Sequence, residues 1–186
     1  ARGAPVTLAG GARPAVRRFV VEGVWHIWRG FDHVCFLLAL LLPGVFVRRG
    51  RQLEPAPSLG GVVGDVLAVV TAFTLAHSIT LVVATMGWVR LAPGLVEPAI
   101  ALSVAAAAAN NLTRTVDARW AVAFALGLLH GFGFSSVLTD LGLPGATLAP
   151  ALFGFNLGVG LGQLAIVLAF LPLAFLVRRT RSYGVG

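Results

Sequence analysis

Long apolar runs, separated by short loops that contain Arg, Pro and Gly, dominate this chain. In helical form, about 20 apolar residues cross a hydrocarbon core about 30 Å thick. Five runs are close to or above that length, and they cover residues 19–42, 61–85, 95–112, 119–140 and 147–177. Because the backbone must satisfy its own hydrogen bonds in lipid, each run is predicted to be a helix. The pattern therefore predicts an all-α, polytopic integral membrane helix bundle with five transmembrane segments.

The limits of the runs also predict how the chain is divided. The last run is long enough to tilt, to kink or to split, so that six segments result if residues 147–177 form two helices. We expect residues 1–18 to be an extramembrane linker or the tail of an N-terminal region. Residues 19–177 are expected to form the transmembrane domain and residues 178–186 a cytoplasmic tail.

Composition and charge agree with a membrane protein. Hydrophobic residues make up 58% of the chain and charged residues only 11%, and mean hydropathy is +0.90, whereas about a quarter of residues are charged in soluble domains. All 14 basic residues are arginines, and the net charge is +7. In a soluble protein this charge would favour nucleic acid, but here the arginines cluster in short loops between apolar runs. That distribution is typical of topology signals, and we expect no nucleic-acid partner.

The arginines also predict an orientation. With five crossings, one side holds the arginines of the loops after the first and third runs and of the C-terminus, while the other side holds Arg90 and the N-terminal arginines Arg13, Arg17 and Arg18. Positive residues accumulate on the cytoplasmic side. The larger group therefore predicts an inside C-terminus and an outside N-terminus. The single cysteine, Cys35, excludes a disulfide within this sequence.

All four histidines fall inside apolar runs. Ionisable residues at such positions face the protein interior or a water-filled path. At a rise of about 1.5 Å per residue, His26, His77 and His130 reach a similar depth in the outer half, although they come from three different runs. His33 and Asp32 are expected deeper. This placement predicts an intramembrane site for a divalent metal ion (Ni, Co or Zn) with these five residues as ligands.

In the first run, several polar residues share one face if the helix is uninterrupted. Glu22, His26, Arg29 and His33 then lie within about 60° of one another. The two histidines are two turns apart, about 10 Å along the axis, so one ion is not expected to bridge them unaided. They either bind with ligands from other helices or mark successive stations on a path. Asp32 is expected to pair with Arg29.

A further set of polar residues is predicted to line the site: Glu22, Arg29, Ser78, Glu97, Ser103, Asn156 and Gln163. Each of these residues also has a structural interpretation that involves no metal. Hydroxyl and amide groups in membrane helices often bond backbone or neighbouring helices. Glu97, followed by Pro98 in the predicted first turn of the third helix, suits the positive end of the helix dipole. The regularly spaced glycines of the fourth and last runs predict close helix packing.

Five stretches of the chain resemble the HupE/UreJ membrane proteins, specifically their second branch. They are residues 23–33 (GVWHIWRGFDH), 71–80 (TAFTLAHSIT), 97–103 (EPAIALS), 127–134 (GLLHGFGF) and 155–163 (FNLGVGLGQ). The resemblance implies a bacterial inner-membrane protein of nickel or cobalt uptake, or an accessory of hydrogenase or urease. It also implies an exported N-terminal domain in many members. Gly160 departs from the family pattern, which has glutamate there, so a metal ligand is absent if that glutamate binds metal.

Three functions remain open at this point. A metal permease would bind the ion through the histidines and Asp32. An intramembrane zinc hydrolase would hold one ion in a closed site, with Asp32 or Glu97 as base and Ser78 nearby. A structural or assembly subunit of a larger membrane complex would bond its histidines to backbone or water. Partners are then the lipid bilayer and a metal ion, with a homo-oligomer or a larger complex as a further possibility.

Overall fold

The computed structural model describes residues 12–49, 52–113, 118–135 and 145–178. The helices are α1 (Ala12–Arg29), α2 (Phe31–Leu41), α3 (Leu59–Thr85), α4 (Pro93–Thr113), α5 (Arg119–Gly133) and α6 (Gly145–Val177). Three of the described helices are long and apolar enough to cross a membrane, namely α3, α4 and α6. A fourth crossing results if α1 and α2 together form one broken span. The protein is therefore an all-α, multi-pass membrane protein with a single short β-hairpin among its described residues.

The first apolar run is two helices and not one. Helix α1 begins at Ala12, inside the region expected to be a linker, and the chain bends by 70° between α1 and α2. Gly30 separates them with φ −78° and ψ 97°, which is an extended conformation. A Cβ on this residue would lie 2.6 Å from Nδ1 of His33 and 2.9 Å from Oδ1 of Asp32. The prediction of one continuous helix over 19–42 was wrong, since Gly30 leaves the helical conformation and fits there only without a side chain.

The number of crossings differs in part from the prediction. Helix α5 has 15 described residues, or about 22 Å at 1.5 Å per residue, and residues 136–144 lie outside the described part of the chain. The predicted fourth crossing over 119–140 therefore stays a prediction. Helix α6 runs without interruption from Gly145 to Val177, with Pro150 and Pro172 inside it. The alternative in which this segment divides into two helices was wrong.

A short hairpin that the sequence did not predict closes one end of the bundle. A 3₁₀ turn (Leu42–Val45) leads into β1 (Phe46–Arg49), which pairs antiparallel with β2 (Gln52–Pro55). The buried side chains of Val45 and Ala56 join a core formed with α2, α3 and α6. Arg178 at the end of α6 donates to the Ala56 carbonyl at 3.2 Å. These contacts fix the hairpin against the ends of three helices.

Glycines allow the two closest helix pairs, α1 with α6 and α3 with α5. A Cβ on Gly158 would overlap the Val20 carbonyl oxygen, and one on Gly154 would lie 2.6 Å from the Val16 carbonyl oxygen. In the other pair, a Cβ on Gly127 would lie 2.6 Å from the Phe73 carbonyl oxygen. The predicted role of these glycines in close packing is confirmed. This packing sets the positions of the helices that carry the histidines.

Candidate metal centre

The four histidine side chains converge from four different helices. His33 of α2 is central: its ring centroid lies 4.6 Å from that of His26 on α1, 4.8 Å from His130 on α5 and 6.4 Å from His77 on α3. His33, His77 and His130 are buried. The expected separation of His26 and His33 along one helix was wrong, because the bend at Gly30 turns His33 back toward His26.

Hydrogen bonds orient three of the four rings through Nδ1. The pairs are His33 Nδ1 with Asp32 Oδ1 at 3.1 Å, His77 Nδ1 with Asn156 Oδ1 at 3.3 Å, and His130 Nδ1 with the Leu126 carbonyl oxygen at 2.8 Å. An oxygen acceptor at Nδ1 places the proton of a neutral imidazole on that nitrogen. The lone pair then lies on Nε2, as in histidines that bind metal while donating to an outer partner.

The Nε2 atoms of all four histidines are buried and have no hydrogen-bond partner. Leaving a buried polar atom without a partner costs about 1–3 kcal/mol. Here four such atoms, each able to present a lone pair, occur in one cluster. A cation bound among them would accept lone pairs from the histidines of one ligand set, and no protein donor in the described part of the chain bonds these Nε2 atoms.

Asp32 adds the negative charge of the cluster. Its side chain is half-buried; one carboxylate oxygen contacts His33, and the other lies 3.9 Å from Nε2 of His130. The predicted pair with Arg29 does not form among the described residues, because Arg29 ends α1 and Asp32 belongs to α2 beyond the bend. The Arg29 guanidinium lies instead over the ring of Trp25, 4.7 Å from its centroid.

The ligand groups form two sets of three that share His33. One set is His26, His33 and His77, and the other is Asp32, His33 and His130. Within each set the ligand atoms lie within 4.8 Å of one another. Metal–nitrogen bonds near 2.1 Å place the ligands of a tetrahedral ion about 3.4 Å apart. Small side-chain movements therefore allow either set to close on an ion.

A cleft of about 410 Å³ connects the cluster to the surface. Its walls include His26, His33 and His130 of the cluster together with Asp32. The predicted lining residues Glu22, Arg29 and Glu97 also border it. Glu97 lies in the second turn of α4, which begins at Pro93, so the expectation that Pro98 stands in the first turn was wrong. The cleft brings three carboxylates and three imidazoles to one opening.

Other predicted lining residues have local roles. Ser78 donates to the Thr74 carbonyl at 2.7 Å, and Ser103 donates to the Ile100 carbonyl at 2.6 Å, each within its own helix. Gln163 accepts from the Thr74 hydroxyl at 2.8 Å and so joins α6 to α3. Asn156 is the one of these two amides that contacts the cluster among the described residues, through its hydrogen bond with His77. The structure therefore does not bring Ser78, Ser103 or Gln163 to the cleft.

The position of Gly160 bears on the departure from the family pattern. Gly160 lies beside Thr74, Ser78 and Asn156 in a separate groove between α3 and α6, and a Cβ there would be 3.9 Å from Thr74 Cγ2. It does not border the cleft. The His and Asp cluster of the described residues therefore contains no ligand from this position.

Sequence reasoning missed the aromatic walls of the centre. Phe134 and Phe155 stack with their planes 6° apart and centroids 4.3 Å apart, and both lie against His26. Phe73 packs on His77 and His130 from another side. The Gly-Phe-Gly-Phe sequence contains one of these rings, but nothing local to it indicates which helix the ring contacts.

Helices that cross a membrane around a buried cluster of histidines and aspartate define a multi-pass membrane protein with a candidate intramembrane metal centre. Residues 4–185 match the family described as HupE / UreJ protein, and the chain belongs to this family. The resemblance seen in the sequence is thereby confirmed, and the family is linked to nickel and cobalt transport. No curated protein and no solved structure was found to match the chain.

Proposed function

We propose that this protein carries nickel or cobalt ions across the bacterial inner membrane and that the ions bind at the His and Asp cluster. One observation carries the proposal: four buried Nε2 atoms from four helices have no partner, while three of the rings are oriented through Nδ1. Neutral imidazole is a suitable ligand for nickel and other late first-row metal ions. Asp32 supplies charge that a divalent ion needs in an apolar surrounding.

The cleft supports a path from the membrane surface. Glu22 and Glu97 are exposed at its border, and Asp32 and His130 line it as well. Carboxylates raise the local concentration of dications, and the imidazoles behind them replace water in the coordination shell. With the predicted orientation, Glu97 lies just after the outer loop between α3 and α4. An outside-facing cleft agrees with uptake.

Transport assays on reconstituted protein test this proposal. We expect proteoliposomes with the full chain to accumulate Ni²⁺ or Co²⁺ and the His77→Ala variant to lose uptake, since His77 is fully buried in the cluster. Asp65→Asn is the matched control, because Asp65 is exposed and pairs with Arg119 away from the cluster. Uptake that is equal in His77→Ala and in the parent protein would contradict the proposal.

A zinc hydrolase is the second candidate, and one observation favours it. The cleft approaches the cluster from one side, while Phe36, Phe73 and Phe155 pack around the rings elsewhere. Such a site leaves an open coordination position toward the cleft, where Asp32 or Glu97 would act as base. Ser78 is bonded to its own helix outside the cleft and is not proposed to act as a nucleophile.

The metal content of the purified protein separates the two candidates. A permease is expected to hold Ni²⁺ or Co²⁺ that exchanges with free ion. One Zn²⁺ per chain that survives dialysis against a chelator would favour the hydrolase. The structural-subunit alternative predicts histidines satisfied by backbone or water, and a purified protein that holds no metal would favour it.

A further inference from the structure

We infer that an ion bound in this centre has two alternative positions, which share His33, and that only one position is filled at a time. This inference rests on the proposed metal function. Its basis is that the two sets of ligands overlap in one residue, since His33 belongs to both. The His33 ring lies between those of His26 and His130, within 5 Å of each.

The two sets differ in chemistry and in access. Asp32 and His130 line the cleft, and Asp32 is 34% exposed, so the set with His33 forms an outer position that includes one carboxylate. The other set consists of three neutral imidazoles. His26 also borders the cleft, but His77 is fully buried and does not, so the set of His26, His33 and His77 extends farther from the opening and forms the inner position.

Charge limits the centre to one ion. The five ligand groups of the two sets include a single carboxylate, Asp32. Two divalent ions held on either side of one imidazole would repel strongly at this separation in an apolar surrounding. The second ion would also lack a carboxylate among its own ligands. The positions therefore alternate, and a filled outer position excludes a filled inner one.

His33 allows the ion to move between the two positions without leaving the protein. When the ion moves inward, its bonds to Asp32 oxygen and His130 nitrogen break while bonds to His26 and His77 nitrogens form. His33 remains a ligand in both arrangements. Neither the metal nor the protein changes oxidation state, and the proton on Nδ1 of His77 remains with Asn156 as its acceptor.

Co²⁺ titration of the purified full chain tests this inference, because the visible absorption of Co²⁺ reports the number and geometry of its ligands. We expect the parent protein to bind one Co²⁺ per chain. We expect Asp32→Asn and His130→Asn to retain one Co²⁺ with one shared spectrum, and His26→Asn and His77→Asn to retain one with a second, different spectrum. Because each of these variants leaves the other position intact, at least one of the two pairs is expected to lower affinity by no more than about twofold, whereas His33→Asn is expected to lower it further than any of the four.

Several outcomes would overturn the inference. If all five residues bind one ion in a single site, the four spectra will not fall into two groups, and each variant will lose as much Co²⁺ affinity as His33→Asn. That result would refute the two positions but leave the proposed metal function intact. Two Co²⁺ per chain in the parent protein would refute exclusive filling. A parent protein that binds no Co²⁺ or Ni²⁺ would refute the proposed function as well. Asp65→Asn serves as the control for folding and nonspecific binding, and it is expected to leave affinity and spectrum unchanged.

Discussion

At the scale of the residue, the geometry of the centre depends on Gly30, which is not one of its candidate metal ligands. Gly30 interrupts the first apolar run and brings the side chains after it, Asp32 and His33, next to His26 before it. Any side chain at this position would contact Nδ1 of His33 and Oδ1 of Asp32. The geometry of two ligands is therefore set by the absence of a Cβ.

Gly30→Ala is expected to weaken metal binding more than it weakens the fold. The added methyl group must displace the His33 or Asp32 side chain, so we expect Co²⁺ affinity to fall by about tenfold or more. Isothermal titration of the purified protein measures the change. Gly64→Ala is the control, since a Cβ at Gly64 meets no atom within 4 Å. Equal affinities in the two variants would show that Gly30 does not position the ligands.

At the scale of the element, helix α6 holds the bundle through one face of small residues. Gly154, Gly158 and Gly162 pack against the backbone of α1, while Asn156 turns toward His77 of α3. Helix α6 thus fixes the spacing of α1 and orients one ligand of α3. Its stability contribution and its contribution to the centre come from different faces of the same helix.

A pair of variants in α6 separates these roles. Gly158→Ala places a methyl group against the Val20 carbonyl, so we expect a loss of about 1–3 kcal/mol, the usual range for overpacking. Gly160→Ala is the matched control two residues away, because its Cβ would have an ordinary contact with Thr74 at 3.9 Å. Thermal unfolding in detergent, followed by circular dichroism, measures both. A control that is destabilised as much as Gly158→Ala would argue against close α1–α6 packing.

At the scale of the whole molecule, orientation decides which compartment supplies the cleft. The arginine distribution predicts that the loop between α3 and α4 is outside and the hairpin side is inside. The cleft lies near the first of these ends, through Glu97 of α4 and the last turn of α5. Uptake from outside requires this arrangement.

Cysteine labelling tests the orientation. In a Cys35→Ser background, Met86→Cys is expected to react with an impermeant maleimide added outside, and Gly60→Cys to react only after the membrane is opened. Both positions are exposed; Gly60 lies in the first turn of α3, and Met86 directly follows its last residue. The reverse labelling pattern would invert the orientation, and labelling of both from one side would show that α3 does not cross.

The sequence patterns predicted the limits of the long helices accurately, but they predicted only part of the arrangement of the metal centre. Helices α3, α4 and α6 begin and end within two residues of the predicted limits, because uninterrupted apolar runs leave little choice of register. The break at Gly30 was missed because a glycine in an apolar run is also typical of intact membrane helices. His26, His77 and His130 were expected to share a layer, but the position of His33 depends on a bend that no local pattern encodes.

The 70° bend gives ion binding a mechanical effect. Residues on both sides of it, His26 on α1 and His33 on α2, are offered to the same ion. When an ion occupies the inner position, both residues are ligands, and α1 and α2 cannot straighten relative to each other without breaking a metal–nitrogen bond. Proteins with an ion in the inner position are therefore expected to have a less flexible bend between α1 and α2 than empty proteins. Ion binding would thus restrict the backbone as well as fill the site.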